Sequence, residues 1–142
     1  MKVVDANVLL YAVNEDAPHH APAKGWLDGA LGRAETVGFD WVVLLAFLRL
    51  STRAGLFSRP LTTAEAVGVV ESWLAQPASI VLQPTLRHLH LLQGLLSEVG
   101  TAANLVNDAH VAALALEHGA EVVSFDTDFS RFEGVRWRRP GE

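Results

Sequence analysis

Three aspartates mark where this chain of 142 residues could do chemistry. Asp5 follows the apolar run "KVV", Asp126 follows "EVVSF", and Asp108 interrupts the run "LVNDAHVAALALEHG". In open α/β sheets, functional groups gather just outside the carboxyl ends of the strands, and Asp5 and Asp126 are predicted to stand there. Asp108 is predicted to sit within a helix whose Ala112, Leu114 and Ala115 read as buried, with Asn104 one turn earlier completing a polar notch. Asp is a poor interior helix residue, so it should face solvent or a partner. Carboxylates that converge raise one another's pKa and destabilise the fold unless a cation balances them. No Lys or Arg that should be buried lies near these positions in sequence. Oxygen donors without Cys, and without a His pair at helical spacing, select Mg²⁺ or Mn²⁺ over Zn²⁺. Held by a few carboxylates, such a cation commonly serves phosphate chemistry.

Each acid also has a plainer reading. A single Asp at a strand end is a ready helix cap or turn former, and Asp128 fits a cap for "FSRF". The combination of Asp5, Asp108 and Asp126 is what favours a cation site over three unrelated caps.

The elements that would position these residues alternate. "KVVDANVLL" begins as a buried strand ending near Asp5, and the breakers of "NEDAPHHAP" follow. "APAKGWLDGAL" reads as a short helix and "ETVGF" as a second strand. Asp40 is a plausible cap for "WVVLLAFLRLSTRAG", with Gly55 as its stop. Thr62 or Thr63 caps "AEAVGVVESWLAQ", and "SIVLQ" is a third strand. Thr85 caps "LRHLHLLQGLLSEVG", which places Leu86, Leu89, Leu92, Leu95 and Leu96 on one face. "AANLVNDAHVAALALEHG" is a further helix, "AEVVSFD" a fourth strand and "VRWRR" a possible fifth. Strands alternating with helices argue for an α/β fold with a mainly parallel sheet of four to five strands. One domain spanning 1–142 is the expectation from length, and half of the chain is hydrophobic.

Composition narrows the classes further. A net charge of -5 does not advertise a nucleic-acid binder, so an anionic substrate needs a local basic patch or a bound cation. The absence of Cys excludes disulfides and thiolate metal sites. No apolar run reaches the roughly 18 residues of a membrane span, so a cytoplasmic protein with no membrane role is expected. Arg49, Arg53 and Arg59 form one basic group, and Arg131, Arg136, Arg138 and Arg139 another. Flanking the acids, they would hold the phosphates of an anionic substrate, with Arg49 the foremost substrate-binding candidate. His19 and His20 read as solvated loop residues. His88 and His90 are two apart and share no helix face, and His110 points away from Asp108 by the same spacing argument. Trp41, Phe47, Trp73 and Trp137 read as core or interface.

"VVDANVLLYA" and "LVNDAHVAALALEHGAEVVSFDTDFSRF", with "LLAFLRLST" between them, resemble the PIN-domain ribonucleases, and most of all the VapC-type toxins of bacterial toxin–antitoxin pairs. The resemblance runs nearly end to end. It implies a three-layer α/β/α fold and a Mg²⁺- or Mn²⁺-dependent endoribonuclease, the toxin of a type II toxin–antitoxin system. By motif position, Asp5, Asp108 and Asp126 match the family's catalytic, metal-binding acids, and Asn7 matches a polar residue that supports the first of them. Asp128 is a further supporting position. A homodimer and a cognate antitoxin, whose basic side chain plugs the acidic site, are also implied. The chain departs from the pattern at Ala46, where the family usually has Glu. Asp40 is the nearest acid before it, ~9 Å away along a helix. Two other readings therefore stay open: a PIN-like module that binds RNA or a partner without cleaving, and a Mg²⁺-dependent phosphohydrolase. The second lacks the paired acid of a D-x-D motif, since the chain reads "DAN".

Overall fold

A computed structural model of the chain describes residues 1–33, 35–100 and 104–142. Strand β1 (Lys2–Val4) leads into helix α1 (Ala6–Val13), and α2 (His20–Leu31) precedes β2 (Val37–Phe39). Then come α3 (Trp41–Ser51), α4 (Thr63–Leu74), β3 (Ser79–Val81), α5 (His88–Val99) and α6 (Val106–Glu117). Strand β4 (Glu121–Val123), a 3₁₀ turn (Thr127–Arg131) and β5 (Trp137–Arg138) close the chain. The five strands form one sheet in the order β3-β2-β1-β4-β5, and every pairing is parallel. Helices cover both faces, which gives the expected three-layer α/β/α architecture. That is why the central strands carry no alternating polar residues: Val3, Val4, Val37, Phe39, Val122 and Val123 are all fully buried.

The chain order reverses about β1, with β2 on one side and β4 on the other. Open sheets bind ligands at such a switch point, beyond the strand ends. Continuing the register of β1 with β2 places Asp40 level with Asp5. Continuing that of β1 with β4 places Ser124 level with Asp5 and Asp126 two places beyond. Parallel pairing thus lays a polar row across the carboxyl edge of the sheet.

Several local expectations shift. The segment after Asp5 is helix α1, because Val8, Leu9, Leu10 and Ala12 bury one helical face. Thr62 caps α4 through a capping box with Glu65. Thr85 caps no helix; α5 starts at His88 after Arg87, and the Thr85 hydroxyl accepts from Arg87 N in a preceding turn. The expected leucine stripe is uncovered only at its start: Leu86, before α5, is fully exposed and Leu89 75 % exposed, whereas Leu95 is buried and Leu92 and Leu96 pack against the core. Helix α6 begins at Val106, which leaves Asn104 outside it; Ala102 and Ala103, also assigned to that helix from sequence, lie outside the described residues. Gly38 in β2 packs closely on Leu82: a Cβ there would meet Leu82 Cδ1 at 2.5 Å, and the leucine would have to shift.

Candidate active site

Asp5 is the hinge between β1 and α1. Its backbone is extended, and Oδ1 accepts from Ala6 N at 2.8 Å as a helix cap. Its Oδ2 receives the Ser124 hydroxyl at 2.7 Å and Asn7 Nδ2 at 3.2 Å. Asn7 also donates to Ser124 Oγ at 3.0 Å and accepts from Phe125 N at 3.1 Å. Ser124 Oγ in turn accepts from Asp126 N at 3.0 Å. The expected support of Asp5 by Asn7 is present, and it extends through Ser124 to the next acid. Ser124 was not singled out from sequence, although it precedes Asp126 by two and so shares its side of the strand end. Phe125 turns the other way, stacked on His19 at 4.6 Å and packed against Tyr11 at 5.4 Å. His19 is therefore more than a solvated loop residue, and His20 likewise bonds Tyr11 O through Nδ1 at 2.9 Å.

Asp126 opens the 3₁₀ turn and accepts from Asp128 N through Oδ1 at 2.9 Å. Phe129 is fully buried within that turn. Burying a side chain of this size contributes about 2–3 kcal/mol, enough to pin the loop bearing both acids. The capping role that Asp128 was expected to play belongs to Asp126. Asp108 lies in the first turn of α6 rather than mid-helix, where the helix dipole favours an acid. Carboxylate oxygens of Asp108, Asp126 and Asp128 come within 4.8 Å of one another.

Like charges at this spacing leave a mark. Asp108 is pushed up to about 7, first by burial and then by the charges of Asp5, Asp126 and Asp128. Asp5 is also raised, mainly because protein encloses it; hydrogen bonds from Ser124 and Ala6 oppose the rise, and Asp126 adds to it. Among the described residues no Lys, Arg or His pairs with Asp5, Asp108 or Asp126. Asp108 and Asp126 have no compensating cation among the described residues, while Arg131 Nη1 lies 3.7 Å from Asp128 Oδ1; the oxygen donor set fits a hard divalent cation. Beside it lies a cavity of about 200 Å³ lined by Asp5, Asn107, Asp108, Val43, Ala46 and Arg49, among others. Ala46 thus faces the acids, and its methyl group leaves space where a longer side chain would enter. Arg49 stands one turn further along α3, with no carboxylate partner among the described residues.

Other candidates are placed differently. Asp40 occupies the N-cap position of α3 but makes no capping bond and does not line the cavity. It is 3 % exposed, and its Oδ2 lies 2.8 Å from His110 Nε2. The sequence spacing correctly turned His110 away from Asp108 but could not show what it turned towards. His110 Nδ1 is 2.9 Å from His88 Nε2, and His88 Nδ1 is 3.0 Å from Glu117 Oε2. Of the basic residues, Arg138 pairs with Glu121, Arg131 lies near Asp128, and Arg136 donates to Gly119 O. Arg59 lines a separate depression with Asn14 and Asp16. Phe47 and Trp73 are core, as expected, whereas Trp41 is 47 % exposed.

Comparison with known proteins decides the family. The PIN domain pattern matches residues 2–135. The chain belongs to the PIN-domain family, in its VapC branch. Ribonuclease VapC37 of Mycobacterium tuberculosis is 60% identical over 140 residues, covering 99% of this chain and 97% of that protein. Ribonuclease VapC33 of the same species is 39% identical, covering 99% and 98%. Among solved structures, the Rickettsia felis VapBC2 complex bound to a promoter DNA fragment superposes with TM-score 0.73 at 15% identity, covering 97% of each chain. M. tuberculosis VapC20, described as a Sarcin-Ricin loop cleaving toxin, gives 0.70 at 21% identity, covering 96% of this PIN domain and 99% of that chain. These two likenesses concern the fold.

Proposed function

We propose that this protein is a Mg²⁺- or Mn²⁺-dependent endoribonuclease that acts in the cytoplasm as the toxin of a type II toxin–antitoxin pair. The observation that carries the reading is the convergence of three carboxylates within 4.8 Å, with no cationic side chain on Asp108 or Asp126 among the described residues. It occurs in a chain 60% identical to a protein named a ribonuclease. Asp108 and Asp126 would hold the cation, with Asp5 beside them and Asp128 completing the shell. When bound, the cation supplies charge neutralisation and Lewis-acid polarisation of the phosphodiester. Asn7 and Ser124 fix Asp5 by donating to its Oδ2, so its outer face keeps one orientation. The Arg49 guanidinium, free in the adjoining cavity, binds a non-bridging phosphate oxygen and offsets charge that grows at phosphorus in the transition state. Water attacks phosphorus as the bond to the departing ribose oxygen breaks; the proton the water gives up to solvent is matched by one that the ribose oxygen takes from solvent.

Ala46 supports a second reading, a PIN-like module that binds RNA without cutting, because it leaves the cavity wall without the Glu that the resemblance implies there. One experiment separates the two. Protein freed of any antitoxin is incubated with total cellular RNA and Mg²⁺ or Mn²⁺. Cleavage that disappears with EDTA and in Asp126→Asn supports the nuclease; RNA binding with no cleavage under either metal supports the module. The antitoxin and homodimer proposals draw on exposed apolar side chains of α3 and α5, including Leu45 at 55 % and Leu89 at 75 %. Solved VapBC complexes share the fold.

A further inference from the structure

The four groups Asp40, His110, His88 and Glu117 form a continuous chain outside the acidic cavity. Its links measure 2.8, 2.9 and 3.0 Å. Glu117 Oε1 accepts in addition from Thr85 N at 3.1 Å and Thr85 Oγ1 at 2.6 Å. The side chains are mostly covered, at 5 % exposure for Asp40 and 17 % for His110. Polar groups are not buried in series without consequence, and a fully bonded network rigidifies what it joins.

What it joins is specific. Asp40 ends β2 and stands level with Asp5 on the adjacent strand. His110 is two residues beyond Asp108, in the opening turns of α6. The bond from His110 to Asp40 therefore ties the start of α6 to the same strand-end row that carries Asp5. Something must hold it there, because Asp5, Asp126 and Asp128 all repel Asp108 when no cation is bound. Apolar packing of Ala109, Val111 and Ala112 presses α6 onto the sheet, but such contacts are non-directional. A hydrogen bond between two covered groups fixes position along the edge. Asp40 forgoes its helix-capping bond to make it.

We propose that Asp40 and His110 are a positioning pair that sets Asp108 for cation binding, with His88 and Glu117 locking the His110 ring. The inference rests on the metal-dependent reading above and adds residues that never touch the cation. Outer-shell partners of ligands in metal sites typically change affinity or activity by ~10–100-fold when lost.

Two substitutions separate the arms of His110. In His110→Gln the amide nitrogen takes the place of Nε2 and keeps the bond to Asp40. In His110→Asn it takes the place of Nδ1, keeping His88 and losing Asp40. Mn²⁺ affinity is read by electron paramagnetic resonance, thermal stability by circular dichroism, and RNA cleavage as a function of Mn²⁺ concentration. The expected result is Mn²⁺ affinity about 10–100-fold weaker in His110→Asn, with cleavage recovered by excess Mn²⁺. His110→Gln and His88→Ala should both stay within about 3-fold of the parent protein, since both keep the Asp40 link. Unchanged Mn²⁺ affinity in folded His110→Asn overturns the positioning role and leaves the nuclease reading standing. Equal weakening in Gln and Asn variants also overturns it, since the Asp40 bond would not be the cause. A parent protein that binds no Mn²⁺ overturns the metal-dependent reading itself, and this one with it.

Discussion

Helix α6 carries an acid near each end, and the two live in opposite surroundings. Asp108, in its first turn, meets three other carboxylates and is pushed up to about 7. Glu117, in its last turn, is drawn below its ordinary value: burial works against this, but hydrogen bonds from Thr85 and His88 outweigh it. Its side chain has no exposed surface, yet it sits shallowly, covered by Thr85 and His88 rather than sunk in the core. One acid is complete without a ligand. The other lies among carboxylates that repel its charged form. The difference is the one the proposed site requires between a structural carboxylate and one placed for chemistry, on the same helix and two and a half turns apart.

The strongest way to break this contrast is to neutralise the repelled acid. Asp108→Asn should lower metal-dependent RNA cleavage by at least about 100-fold, the upper end of what outer-shell losses alone produce. The same change should raise the melting temperature of the metal-free protein, because it deletes repulsion with Asp5, Asp126 and Asp128. A loss of activity with a fall in that temperature would mean that Asp108 is structural after all.

Glu117→Ala should do the reverse. It leaves Thr85 and His88 without their shared acceptor, which costs about 1–3 kcal/mol for covered polar groups, reduced towards the lower end by the shallow site. Urea unfolding measures it. Cleavage at saturating Mn²⁺ should change far less than in Asp108→Asn.

pH sharpens the same comparison, since the two acids titrate with opposite sign. The folded carboxyl of Asp108 is at about 7 against 3.8 unfolded. Across that window the folded state binds the proton more tightly, so this contribution is full below 3.8 and is lost as pH rises towards about 7. Asp5, also raised, adds in the same direction. Glu117 is lowered from 4.5, so its contribution is present above that value and is lost as pH falls. Melting temperature in EDTA should therefore decline between about pH 5 and pH 7. With saturating Mg²⁺ the decline should flatten or reverse, because binding requires ionised ligands. A profile that is the same with and without metal would contradict a cation site at the cluster.

Much of the chemistry was legible in the sequence. One apolar strand that ends in an acid reads as a cap, but two such strands point to one edge of a parallel sheet. Asp108 was legible as an acid but not in its place: it reads as mid-helix, whereas α6 starts two residues before it. Ser124 was overlooked because Ser at a strand end is unremarkable until the β1–β4 register sets it opposite Asp5. The histidine chain could not be read at all. Spacing rules compare neighbours on one helix, while His88 and His110 meet across two helices and find their acids on a third element and at the far end of α6. Long-range polar pairing follows from packing, which sequence periodicity does not encode.

The smallest expected effect lies at Ala46, on the wall of the cavity beside the acids. The cavity of about 200 Å³ beside Asp5 and Asp108 has room for a longer side chain there. Ala46→Glu would bring another carboxylate to that wall, within reach of the Arg49 guanidinium one turn along α3. Two effects then compete. More negative charge strengthens cation binding, but an ion pair between Arg49 and the introduced carboxylate would withdraw the guanidinium from RNA phosphate. The pair is partly solvated and worth no more than about 1 kcal/mol, whereas an added ligand acts directly on a multiply charged ion. Mn²⁺ affinity should therefore rise by a few-fold, about one RT ln 10 at most, and cleavage at limiting Mn²⁺ should rise with it. The metal-free protein should melt lower, since a further like charge joins Asp5 and Asp108. Titrating Mn²⁺ against cleavage rate checks both halves: an unchanged half-saturation point would show that the Ala46 wall does not reach the cation.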